Sequence, residues 1–230
     1  MLKPEGIPAK RMKAEILKKL AEGDFQKAKT AIAAYPARRV INYLISFFCH
    51  REALVRWRAI ETAGCVVSGH AESDPESARV IMRRFMWMLN DESGGIGWGV
   101  PEAMGETLRL SDLLFSEYHR IFLSYVQPEC NFLEHPVLQR GLLWGIGRMA
   151  RTRPEVRAVL PDITPFLASD DPYHRAYALL VFGYAGGPGT KEQTGRLRGD
   201  ETVVEIYGDG DFMETTVGEI SRNGGLLQTS

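Results

Sequence analysis

Two carboxylates one helical turn apart, Glu102 and Glu106, follow a glycine-rich run that holds a single tryptophan, Trp98. A pair at i, i+4 shares one helix face, which is the arrangement paired acid and base groups need. One such pair with no third partner specifies no reaction, so no catalytic residue is assigned. The run before it places glycines at 94, 95, 97, 99 and 105. Those offsets fit neither G-x-G-x-x-G nor G-x-x-x-x-G-K, the run has no lysine, and the lead-in RVIMRRFMWML reads as helix rather than strand, which excludes a phosphate loop. Gly97, Trp98 and Gly99 instead predict an unwound helix start with Pro101 in its first turn. Backbone N–H groups left open there would meet an anionic or carbonyl group of a partner. Gly94 and Gly95 are read as packing glycines.

Other reactive side chains are dispersed. The five histidines, His50, His70, His119, His135 and His174, have no further ligands at tetrahedral-site spacing, and there is no H-E dipeptide. Neither a metal nor a cofactor is expected. The three cysteines, Cys49, Cys65 and Cys130, are odd in number and lack a C-x-x-C, which argues against a disulfide framework and for a reducing compartment. No G-x-S-x-G elbow is present. A net charge of -1 provides no global basic field for nucleic acid. Without a signal-like or membrane-spanning apolar run, the chain reads as a cytoplasmic protein with no membrane association.

The elements that must position these residues are helices. From Lys10 to Gly186 helical periodicity alternates with short Pro, Gly and Asp breaks, and strand patterning is scarce before residue 203. Helices are predicted over 9–21, 24–34, 37–49, 52–68, 75–89, 98–110, 112–126, 136–151, 154–168 and 172–185. Four of them carry a matching glycine, Gly64, Gly105, Gly147 and Gly183, at spacings of 41, 42 and 36 residues. That is close to the unit of HEAT and armadillo repeats. The columns one, four and five positions before each glycine are apolar or small, as a buried face between stacked repeats requires.

The segments VRWRAIETAG and PYHRAYALLVFG look like the V-R-x-x-A-x-x-A-L-G second helix of the HEAT-like repeat found in phycobilisome lyases. The resemblance spans roughly residues 37–186, and the chain also resembles an uncharacterised HEAT-like family of sulfate-reducing bacteria. It implies an all-α fold, an α-α superhelix of about four helix pairs. An N-terminal helical cap would occupy 1–36, the repeat array 37–186, and a C-terminal cap 187–230, with a β-hairpin at 203–217 and a flexible tail. The hairpin rests on Gly208-Asp209-Gly210-Asp211 between alternating apolar residues.

Setting the second helices in register gives a stripe. Six residues before the glycines stand Arg58, Gly99, Gly141 and Tyr177; three before, Glu61, Glu102, Trp144 and Leu180; one after, Cys65, Glu106, Arg148 and Tyr184. Charge gathers at one end and aromatic rings at the other. The candidate binding residues on this concave stripe are therefore Arg58, Glu61, Gly97, Trp98, Gly99, Glu102, Glu106, Trp144, Arg148, Tyr177 and Tyr184. The competing reading makes the charges solvated helix groups and the rings a seat for the hairpin. A non-catalytic scaffold for a protein partner is the function expected first. A small-molecule or cofactor-handling protein, like the lyases, is the alternative. A DNA-binding glycosylase type would need a basic groove, so nucleic acid is disfavoured.

Overall fold

The computed structural model describes residues 8–90, 97–187 and 190–227. The chain is predominantly helical, with twelve α-helices and one two-stranded sheet among the described residues. It divides into two compact units, Met1–Ser116 with Asp209–Asp211, and Glu117–Gly208 with Phe212–Ser230. No helix among the described residues is long and apolar enough to cross a membrane.

The first unit holds α1 (Ala9–Ala21), α2 (Phe25–Ala33), α3 (Ala37–Phe47), α4 (Ala53–Ser73), α5 (Pro75–Leu89), α6 (Val100–Leu110) and the start of α7 (Asp112–Ser124). Its centre is α4. That helix packs against α1, α2, α3, α5 and α6, and it is accordingly buried on most sides rather than along one stripe. It runs five residues past its predicted end and stops at Asp74. The Asp74 carboxylate then accepts from the Ser77 backbone N–H, and Pro75 takes the first helical position of α5, where a missing N–H costs nothing. α6 begins after Gly99, which adopts a left-handed φ of 75°, and Pro101 stands in its first turn.

The second unit contains the rest of α7, α8 (Pro136–Ala150), α9 (Leu160–Ile163), α10 (Pro172–Ala185), α11 (Thr190–Gly195) and α12 (Val217–Arg222). α8 and α10 pack along each other. The single helix expected over 154–168 is instead a 3₁₀ turn at Pro154–Val159, the short α9, and a second 3₁₀ turn at Thr164–Ala168. Pro161 and Pro165 cause the break, because each removes an N–H from the i→i−4 ladder and crowds the preceding turn.

Strands β1 (Val203–Gly208) and β2 (Asp211–Thr216) form the hairpin anticipated at 203–217. Both central turn residues, Asp209 and Gly210, have positive φ, the twist that a two-residue hairpin turn requires. Tyr207 and Phe212 meet edge to face with centroids 5.5 Å apart, while Glu205 and Glu214 are exposed. Val204, Ile206 and Tyr207 are buried, and β1 packs on α10. The sequence after the hairpin forms α12, closed by a reciprocal Thr216–Glu219 capping box. Beyond it Gly225 donates to the Ile220 carbonyl and lies against Gly183, so the chain is held there rather than frayed.

Candidate functional site

Nine of the eleven stripe residues are buried; only Trp98 and Tyr184 are half-exposed. In the first unit Arg58 is satisfied internally. Its Nε donates to the Gly210 carbonyl at 2.8 Å, Nη1 donates to the Leu20 carbonyl at 3.1 Å, and the guanidinium lies 5.2 Å from the Phe25 ring centre. Glu61 accepts from Lys29 at 2.7 Å, and Glu106 takes a two-pronged bond from Arg109 at 2.6 and 2.9 Å. Buried charges survive only with such partners. A Cβ on Gly64 would stand 2.7 Å from the Glu106 side chain, so the glycine sets the close approach of α4 to α6. Cys65 lies among these ion pairs. Burial raises its thiol pKa above the ordinary value, leaving a poor nucleophile at neutral pH.

Glu102 differs from its neighbours. It is 8% exposed, and its Oε2 has no hydrogen-bond partner. Burial pushes its carboxyl up to about 7, against weaker downward pulls from its own backbone N–H and from Arg56. The glycines beside it pack rather than cradle. A Cβ on Gly99 would meet Ile60 at 2.7 Å and Phe48 at 3.1 Å, and one on Gly97 would meet the Met88 carbonyl at 3.0 Å. Gly94 and Gly95 lie outside the described residues.

The aromatic end of the stripe belongs to the second unit. Trp144 Nε1 donates to the Tyr207 carbonyl at 3.0 Å, and Arg148 stacks 5.4 Å from the Trp144 ring centre. Tyr177 is buried next to Tyr173, and Arg151 donates to the Tyr184 hydroxyl at 3.0 Å. The recess left between these groups is about 20 Å³, room for one water and not for a chromophore. Here the hairpin covers the rings.

An open concavity lies elsewhere, and the sequence reading missed it. A cleft of about 450 Å³ in the first unit runs along one face of α4, lined by Cys65, Gly69, His70 and Ser73, and is walled by Tyr35 and Arg38 where α2 passes to α3. Gly69 is exposed, and a Cβ built there meets nothing within 4 Å. His70 Nε2 is buried without a hydrogen bond, 3.9 Å from Asp74 Oδ2. Nothing in the sequence signalled it, because the predicted helix ends at residue 68 and leaves Gly69 just past that end, whereas α4 continues to Ser73. Among the described residues no group of three or more His, Cys, Asp or Glu side chains is placed to hold a metal ion.

No family model matches the chain. It is similar to an uncharacterised protein of the archaeon Archaeoglobus fulgidus, 27% identical over 182 residues that cover 77% of this chain and 91% of the other.

Proposed function

We propose that the chain is a HEAT-like helical-repeat module, an α-α superhelix without catalysis of its own, that binds a protein partner and receives a segment of it in the α4 cleft. Two glycine contacts support the repeat reading. Gly64 of α4 abuts Glu106 and Thr107 of α6, and a Cβ on Gly147 of α8 would lie 3.7 Å from Val181 of α10. In both cases the recurrent glycine of one second helix touches the next second helix close to its own glycine, as stacked repeats require.

The binding reading rests on Gly69. A glycine inside a helix costs about 1 kcal/mol relative to alanine, and here no neighbour demands the missing side chain. What its absence does is keep the α4 backbone open at the floor of the cleft. Gly69→Leu would start from a Cβ that meets nothing within 4 Å, project its side chain into that space and raise helix propensity. Crosslinking in cells that make the protein should therefore lose a specific partner in the Gly69→Leu variant while its melting temperature holds or rises; unchanged capture would refute the cleft as the site.

One observation favours the small-molecule alternative. A volume of about 450 Å³ falls within the range of ordinary ligand pockets. A thermal-shift screen in which small ligands stabilise the native chain but not Gly69→Leu would shift the reading toward it.

A further inference from the structure

In the second unit, α10 carries a seat that the end of the chain itself fills. After α12 the backbone turns through Gly224 and Gly225, at φ 70° and 83°, and Gly225 to Leu227 lie against α10 as a short strap. The fit is closest at one point. A Cβ on Gly183 would run into the Gly225 carbonyl, and a Cβ on Gly225 would run into the Leu179 carbonyl, so only glycine on glycine lets the two backbones touch. Two residues further on, Leu227 lines the recess beside Trp144, Tyr177, Leu180 and Tyr184. The seat therefore reads a pattern, a glycine followed two positions later by an apolar side chain.

The strap is lightly held. Gly225 donates to the Ile220 carbonyl at 2.8 Å, but that bond closes the end of α12 and does not join the strap to α10. Leu226 and Leu227 make no hydrogen bond among the described residues. Leu226 is 41% exposed, Leu227 is half-exposed, and about 20 Å³ beside it stays unfilled. A terminal segment with so few buried contacts opens at low cost. The glycines at the matching positions of α4 and α8, Gly64 and Gly147, face a following helix, whereas Gly183 faces this strap.

We infer that the seat made by Leu179, Gly183 and the recess beside Leu180 and Tyr184 is a peptide-binding groove, which takes a Gly-x-Leu segment of another protein and which the chain's own tail occupies until displaced. The chemistry of the occupant is that of the segment already seated there. It is independent of the α4 cleft, which belongs to the first unit. Because the tail is tethered, it competes for the groove at an effective concentration on the order of millimolar. An incoming segment binds only the open fraction, and its apparent affinity falls by that fraction. Releasing the tail therefore restores the full affinity of the groove.

The test titrates a dye-labelled synthetic peptide of residues 222–230, RNGGLLQTS, into the full-length chain. Gly225→Ala in the chain sets a side chain against the Leu179 carbonyl and lifts the strap, and Leu227→Asp withdraws the strap without changing the turn. Both variants should keep a cooperative thermal transition and bind the peptide at least tenfold more tightly than the wild-type chain does. Peptides that carry Gly225→Ala or Leu227→Asp themselves should bind none of the three chains. One substitution thus acts with opposite signs in the chain and in the peptide, which a tail that only packs in the fold would not produce. Equal binding to all three chains, or no binding to either variant at millimolar peptide, would overturn the proposal. So would loss of the thermal transition in both variants, which would make the tail part of the core. A dimer of the wild-type chain that both variants abolish would also overturn it, by giving the groove to a second copy. Gly69→Leu should leave peptide binding untouched, which separates this groove from the cleft.

Discussion

The indole N–H of Trp144 on α8 is tied to the backbone carbonyl of Tyr207 on β1, a bond between residues 63 positions apart. Trp144 is 4% exposed and Tyr207 1%. The ring therefore anchors the hairpin from beneath. Trp144→Ala should cost about 3–5 kcal/mol of stability, and Trp144→Phe, which keeps most of the volume and loses the bond, about 1 kcal/mol. Urea unfolding of both variants checks this; an Ala variant as stable as wild type would mean that the ring bears no load in the fold.

Glu102 predicts an inverted pH dependence. Its ordinary value of 4.5 applies to the unfolded chain, and burial lifts the folded value to about 7. Between those values the folded state holds a proton that the unfolded state has lost, so stability is fully present below about 4.5 and declines as pH rises through about 7. Glu102→Gln keeps the neutral shape at every pH. The variant should match wild type in acid and exceed it by about 3 kcal/mol in mild alkali. A stability difference that does not change with pH would show that the carboxyl is not held neutral.

Two glycines on neighbouring helices should respond to alanine with opposite signs. Gly99 sits at φ 75° with Ile60 and Phe48 against it, so Gly99→Ala adds left-handed strain and a clash, about 2 kcal/mol of destabilisation. Gly69 has open space, and Gly69→Ala should stabilise by about 0.5–1 kcal/mol through helix propensity alone. Melting temperatures of the two variants decide it, and movement in the same direction would contradict the geometry.

Helix positions were legible wherever a local signal marks an end. α5 was predicted with its observed limits because Asp74-Pro75 caps its start, and the hairpin because Asp209-Gly210 suits only such a turn. The segment 154–168 was misread because helical periodicity outweighed Pro161 and Pro165. The stripe failed as an open surface for a different reason. Periodicity says which residues share a face, but what covers that face comes from distant chain. The partners of Arg58 lie 38 and 152 residues away, and the partner of Glu61 lies 32 away. Nothing in local spacing reports them. The cleft was invisible because its telling residue is a side chain that is not there.

The reach of Arg58 also bears on synthesis. Residues 209–211 belong to the first compact unit, although almost a hundred residues of the second intervene. As the chain leaves a ribosome, α1 and α4 emerge early and give Arg58 its Leu20 acceptor, but the Gly210 carbonyl arrives only on the order of 10 s later at usual elongation rates. For that interval the guanidinium keeps its water. The first unit consequently stays incomplete until nearly the whole chain is made, and a ribosome stalled short of codon 210 leaves a nascent chain with a hydrated arginine where the complete protein has a dry one.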